Sequence, residues 1–159
     1  ILAVEGIGGI HLACNAEDHA AVKRLRKRRH RAEKPLAVMC RSLETVRRIC
    51  RLSASEEALL TSPAHPIVLL SKKDRKSFPE LSFSPRLGIM LPYTPLHMLL
   101  LDGTYGGPDA VVMTSGNVPR CPVLTENEEA LLPLAHTSDG FLLTDRAILT
   151  ALQASQVPA

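Results

Sequence analysis

Tryptophan is absent from the chain, and only five aromatic residues occur among its 159: Phe78, Phe83, Phe141, Tyr93 and Tyr105. None falls within residues 1–77, so unpaired bases have no platform to stack on in the first half. Cysteine is scarce too. Cys14, Cys40, Cys50 and Cys121 are dispersed, with no C-x-x-C pair. That argues against a disulfide framework or a cysteine-based zinc site, and for reduced, buried thiols in a cytoplasmic protein. No apolar run approaches the roughly 18–20 residues of a membrane span, so no membrane role is expected. The opening ILAVEGIGG lacks a basic n-region and a continuous apolar core, which excludes a signal peptide. It reads as a strand entered within a domain truncated at its N-terminal edge. The six histidines (His11, His19, His30, His65, His97, His136) show no H-E-x-x-H or other metal spacing, and no protein-built metal site is expected. His97, following Pro95 inside a helical pattern, reads as packing rather than as a ligand.

What is present suits one domain with a sizeable core: 45% of residues are hydrophobic and 22% charged. The net charge of +3 is unevenly spread. Residues 1–51 hold twelve Lys/Arg against five Asp/Glu, whereas residues 101–159 hold two against seven. Most of the excess lies in KRLRKRRHRAEK, residues 23–34. Such a local field implies an anionic partner, phosphate or nucleic acid; the plainer reading is a solvated helix face.

Short aliphatic runs at residues 1–5, 11–14, 36–40, 67–70, 88–91, 110–113 and 140–143 read as buried strands. Helical patterns lie between several of them. Asn15 is the expected cap of the first, which opens with Glu17 and Asp18 and closes in a basic turn. Ser42 caps a second, and Ser53-x-x-Glu56 is a capping box for a third. Thr94 followed by Pro95 opens a fourth, and Thr125-x-x-Glu128 a fifth. Alternating strands and helices predict an α/β domain. Residues 72–87 read as one long, mobile, basic loop able to cover a site.

Three stretches could carry chemistry. Gly6-Ile7-Gly8-Gly9 permits close backbone approach to a ligand but fits neither a Walker A loop nor a Rossmann fingerprint. Arg29-His30-Arg31-Ala32-Glu33-Lys34-Pro35 ends the basic helix at Lys34, because proline drives its predecessor out of helical geometry. Arg29, Arg31 and Lys34 then surround one bend, a disposition suited to a triphosphate. Thr114-Ser115-Gly116-Asn117 ends a buried strand in small donors, where α/β proteins hold ligands. A lone Arg146 says nothing by itself. From the residues, the reading stops at an α/β domain with a basic, phosphate-binding cleft.

The wording of the sequence goes further. GIGGIHLACNA at 6–16, RRHRAEKPLAVM at 28–39, SPAHPIVLL at 62–70, LGIMLPYTPLHMLLL at 87–101, VVMTSGN at 111–117 and DGFLLTDRAI at 139–148 occur in that order. Together they resemble the YrdC-like domain of the HypF carbamoyltransferases of [NiFe]-hydrogenase maturation, over one domain spanning residues 1–159 that diverges after about residue 146. The resemblance implies a twisted mixed sheet flanked by helices, with a basic concave cleft. It implies ATP-dependent activation of carbamate, derived from carbamoyl phosphate, to carbamoyl-adenylate with Mg²⁺. The carbamoyl group would pass to a HypE-type acceptor protein.

Residue by residue, the family's K-x-R-x-x-K-P falls on Arg29, Arg31, Lys34 and Pro35, and its T-S-G/A-N on Thr114, Ser115, Gly116 and Asn117. Its K-G-x-G-G falls on Glu5, Gly6, Gly8 and Gly9, with glutamate for lysine, and its H-x-R on Thr144 and Arg146, with histidine lost. Catalytic roles thus pass to Arg29, Arg31 and Lys34. Binding of ATP and carbamoyl-adenylate passes to these three with Gly8, Gly9, Thr114, Ser115, Asn117 and Arg146. Three other readings stay open: a threonylcarbamoyl-AMP synthase-like tRNA-modification domain, a double-stranded RNA-binding module, and a degenerate inactive fragment. The P-T-x-T-x-Y opening of the threonylcarbamoyl synthases is missing here.

Overall fold

The computed structural model describes residues 1–30, 34–116, 132–144 and 156–158. Its first unit is a hairpin of β1 (Leu2–Gly6) and β2 (Gly9–Asn15), closed where Gly6 faces Gly9 across Ile7 and Gly8. Gly9 has φ +150°, a conformation that side chains resist. There follow α1 (His19–Arg29), β3 (Ala37–Cys40), α2 (Leu43–Ile49), α3 (Ala54–Leu60), β4 (Ile67–Ser71) and β5 (Arg86–Met90). The chain continues through α4 (Pro95–Leu100), a short 3₁₀ turn (Gly103–Tyr105), β6 (Ala110–Ser115), α5 (Leu132–Ala135), β7 (Gly140–Leu142) and β8 (Gln156–Pro158). Among the described residues, eight strands form one mixed sheet, ordered β7-β1-β2-β6-β3-β5-β4-β8.

Period-two alternation divides the sheet's side chains between two layers. Ala3, Leu12, Val38, Val68, Ile89 and Val112 face one way and meet Val22 and Leu25 of α1, Val46 of α2 and Leu60 of α3. Val4, Ala13, Met39, Met90, Val111 and Met113 face the other, where Tyr93, Leu96 and Leu100 cover part of them. The second layer is the thinner. It leaves Met98 and Leu99 of α4 and Ser115 of β6 exposed.

The seven expected strands are present to within two residues at either end, and the caps at Ser42, Ser53 and Thr94 form as expected. Three readings need correction. The cap of α1 is Asp18, whose carboxylate accepts the Ala20 and Ala21 N–H groups at 2.9 and 3.0 Å. Asn15 instead accepts the Glu17 N–H in a turn before the helix. Asp18→Ala should therefore cost about 1 kcal/mol of stability in urea unfolding, whereas Asn15→Ala should cost less. An equal loss from both would contradict this assignment.

Secondly, α1 stops at Arg29 rather than at Lys34. His30 turns left-handed (φ 48°) and its N–H closes on the Arg26 and Lys27 carbonyls. Thirdly, the segment after β4 is fastened rather than open. Lys72 is buried, its ammonium donating to the Ser77 and Ser82 carbonyls at 2.9 and 2.7 Å, and Leu81 is enclosed. The capping box at Thr125 and Glu128 lies outside the described residues, as does Cys121. Cys14, Cys40 and Cys50 are free and buried, and burial raises the Cys40 and Cys50 thiols to about 12. No helix among the described residues is long and apolar enough to cross a membrane.

Candidate functional site

Strand register brings the separate motifs to one end of the sheet. His11 lies opposite Ser115 and Leu12 opposite Thr114, which sets the Gly8–Gly9 hairpin tip beside the end of β6. The Gly116 N–H donates to the Ile10 carbonyl at 2.8 Å and holds the two together. Thr114 is buried while Ser115, one residue on, is exposed on the opposite face. Glu5, paired with Ile10, accepts the Thr144 N–H at 2.7 Å, and so fixes the end of the segment that follows β7. This gives Glu5 a structural partner where the family pattern has lysine.

The lead into β3 comes from the same end. Strand β3 starts with Ala37 opposite Met113, so the chain between Asn15 and Ala37 has to return toward Ser115. Helix α1, packed on β2, carries it back. Arg26 ties α1 to the approach to β3: its guanidinium donates to the carbonyls of Lys34 at 2.9 Å, Glu80 at 2.6 Å and Leu81 at 3.2 Å. Arg29 is half-buried and Lys34 exposed. Gly8, Gly9, Thr114 and Ser115 thus meet at one end of the sheet, with Thr144 beside Glu5 there, and β3, which Lys34 precedes, begins toward that end. Arg31, Asn117 and Arg146 lie outside the described residues.

Part of the basic run is structural. Arg28 bonds Asp139 at 2.6 Å and Arg24 lies 3.6 Å from the same carboxylate. Hydrogen bonds from the Ile1 amino group and Arg28 hold the Asp139 carboxyl down to about 2. A second cationic region, at the opposite end of β3, is also neutralised. It lines a cavity of about 540 Å³, in which Arg41 and Arg48 pair with Asp109 and Arg47 pairs with Glu57.

Sequence reading missed a chain of aromatic rings beside Ser115. The His11 and His97 centroids are 6.4 Å apart, Tyr93 meets His97 edge-on at 4.5 Å, and His65 lies 6.0 Å from Tyr93. His97 is fully buried, as its packing role requires, yet neither ring nitrogen has a hydrogen-bond partner. Burial, reinforced by nearby His11, lowers its pKa to about 4; burial also lowers His11 and raises Tyr93. The segments LPYTPLH and GGIHLAC hold these residues, but nothing local shows that they meet.

This fold, with its glycines and hydroxyls at one end of the sheet, defines a class. A family model described as "Telomere recombination", for Sua5, YciO and YrdC proteins, matches residues 1–157, and the chain belongs to that family. Within it, the chain is similar to the HypF carbamoyltransferases. It is 48% identical to carbamoyltransferase HypF of Rhodobacter capsulatus over 99% of the chain and 21% of that relative. The chain therefore spans about a fifth of the length of the curated relatives it matches. A full-length HypF crystallised in a phosphate- and nucleotide-bound form superposes with a TM-score of 0.90 at 45% identity, covering 99% of this chain and 25% of that one. A Sua5 of P. abyssi shares the fold at a TM-score of 0.78 and 16% identity, with 99% and 46% covered.

Proposed function

We propose that this domain uses ATP to activate carbamate, supplied from carbamoyl phosphate, as carbamoyl-adenylate. A carbamate oxygen bonds to the α-phosphorus, the bond to the β-phosphate oxygen breaks, and pyrophosphate leaves. The carbamoyl group then passes to a HypE-type acceptor protein in the cytoplasm, through the further domains that the longer relatives possess. The observation that carries this reading is the meeting of Gly8–Gly9 with Thr114–Ser115 at the end of the sheet toward which β3 begins. Similarity to a HypF solved with phosphate and nucleotide supports it.

Arg29, Arg31 and Lys34 bind the phosphates in a basic cleft and stabilise the charge that develops as pyrophosphate departs. Two guanidinium forks and one ammonium suit this task, since guanidinium binds phosphate oxygens in pairs. Ser115, Asn117 and the Gly8–Gly9 backbone position the nucleotide, Thr114 sets the strand end, and Arg146 closes the site. Among the described residues no three His, Cys, Asp or Glu side chains are gathered to hold a metal, and Glu5 is engaged with Thr144. Mg²⁺ would ride on the nucleotide's own phosphates, where it supplies charge neutralisation.

Calorimetric titration of the purified chain with ATP and Mg²⁺ tests the reading. Saturable binding is expected, with Arg31→Ala weakening it about tenfold to a hundredfold, the worth of one charge-assisted contact. Pyrophosphate release dependent on ammonium carbamate should follow. A folded sample that binds no ATP would end this proposal and favour the degenerate reading. Binding of double-stranded RNA that ATP does not displace would favour the nucleic-acid reading.

A further inference from the structure

We infer that His97 and His11 form the binding site for the carbamoyl group, on the thinner side of the sheet next to Ser115. The inference rests on the function proposed above and assigns its second substrate to named atoms.

Buried polar groups in native proteins find partners almost without exception. Here His97 Nδ1 and Nε2, His11 Nδ1 and His65 Nδ1 are all shielded and all lack a hydrogen bond within the protein. Four such nitrogens along one connected set of rings is a concentration, and the set starts at His11, beside the strand end that carries Ser115, and runs through His97 and Tyr93 to His65 ahead of β4. His11 is directly opposite Ser115 in the β2–β6 register. Its ring leans toward β1, into space that Gly6 leaves vacant: a Cβ at Gly6 would sit 2.9 Å from His11 Nδ1 and Cε1. His97 is equally fixed. Its backbone N–H donates to the Thr94 hydroxyl at 3.2 Å in the first turn of α4, and Tyr93 packs against its ring.

The chemistry of the pair selects the ligand class. Burial keeps both imidazoles neutral near pH 7, so each offers one N–H donor and one bare acceptor nitrogen. A phosphate presents oxygens and calls for cations. A carbamoyl group presents a carbonyl oxygen beside an NH₂, acceptor next to donor, and matches the two rings. An apolar rim from Val4, Ala13 and Met113 excludes water from such a contact and strengthens it.

Two measurements test this. In the first, the imidazole ¹⁵N resonances of the wild-type chain are followed while ammonium carbamate is added, with and without a non-hydrolysable ATP analogue. The His11 and His97 resonances should shift saturably, and those of exposed His19 and His136 should not. Absence of any shift at His11 and His97 under both conditions overturns the inference. In the second, His97→Phe, which keeps the ring volume, is titrated with AMP and with 5′-O-(N-carbamoylsulfamoyl)adenosine, a stable analogue in which the sulfamoyl nitrogen carries the C(=O)NH₂ group. Affinity for the sulfamoyl compound should fall about tenfold, the worth of one lost neutral hydrogen bond, with AMP affinity unchanged. Equal loss for both ligands, or for neither, makes His97 a packing residue and overturns the assignment. Should the chain bind no nucleotide at all, the adenylation reading fails, while the carbamate-induced ¹⁵N shifts still decide the pocket.

Discussion

Gly116→Ala is expected to cost about 2–3 kcal/mol of stability and to weaken ATP binding about tenfold or more, as overpacking against fixed backbone does. A Cβ built at Gly116 would lie 2.7 Å from the Ile10 carbonyl oxygen and 3.2 Å from its carbon. Both are main-chain atoms of β2, so no side-chain rotation relieves the clash. Gly116 is not among the residues with positive φ, and the cost therefore comes from contact rather than from backbone conformation. The strand end has to move away from β2. That breaks the 2.8 Å hydrogen bond from Gly116 to Ile10 and displaces Ser115 from beside the Gly8–Gly9 tip. Urea unfolding and calorimetry with ATP and Mg²⁺ read the two effects. Wild-type stability with wild-type affinity in this variant would show that the close approach of the strands is not needed.

Acidification should destabilise the fold between pH 6.5 and pH 4, with His97 the principal contributor among the histidines. Its folded pKa of about 4 lies below the 6.5 of an unfolded histidine. The unfolded chain thus takes up a proton first as the pH falls, and folding loses ground until the folded state is protonated near pH 4. Over that window one group shifted this far accounts for about 3 kcal/mol. His11 acts in the same direction. Above pH 6.5 both are neutral in either state and the dependence disappears. Urea midpoints measured from pH 7 to pH 4 should fall steadily in the wild type and less steeply in His97→Phe. Parallel curves would place the acid sensitivity elsewhere.

The fold was legible where local chemistry determines it. Aliphatic runs bounded by glycine, proline or serine located β1 to β7, and hydroxyl caps located the starts of α2, α3 and α4. The start of α1 was misread because Asn15 and Asp18 can both cap, and only the path of the chain after β2 decides between them. Strand β8, three residues beside β4, carries too little pattern to stand out. In the candidate site, the glycines, the T-S-G-N turn and the basic bend were legible as motifs. That the glycines and the Thr114–Ser115 strand end meet was not, because it depends on which strands pair. Long-range partners were hidden for the same reason: Asp139 for Arg28, Thr144 for Glu5, and the carbonyls of Glu80 and Leu81 for Arg26. The basic run reads as a single electrostatic feature, but Arg24, Arg26 and Arg28, three of its five arginines, are internal fasteners. His97 was read as packing, which its burial supports, but its unpartnered nitrogens emerge only when α4 lies against β1 and β2.

The position of β6 has a consequence for how the chain folds. Among the described residues, β7, β1 and β2 form one part of the sheet and β3, β5, β4 and β8 the other, with β6 between β2 and β3. Until residues 110–115 dock, β2 and β3 are open aliphatic edges, each able to recruit another chain. Closing β1 against β7 joins positions as distant as Leu2 and Gly140. Contact order is therefore high, and folding belongs to the slow, milliseconds-to-seconds regime of non-local topologies. Arrival of the T-S-G strand both seals the two edges and builds the ligand end of the sheet. An unfinished chain is thus at once adhesive and unable to bind nucleotide, and both conditions end in a single step.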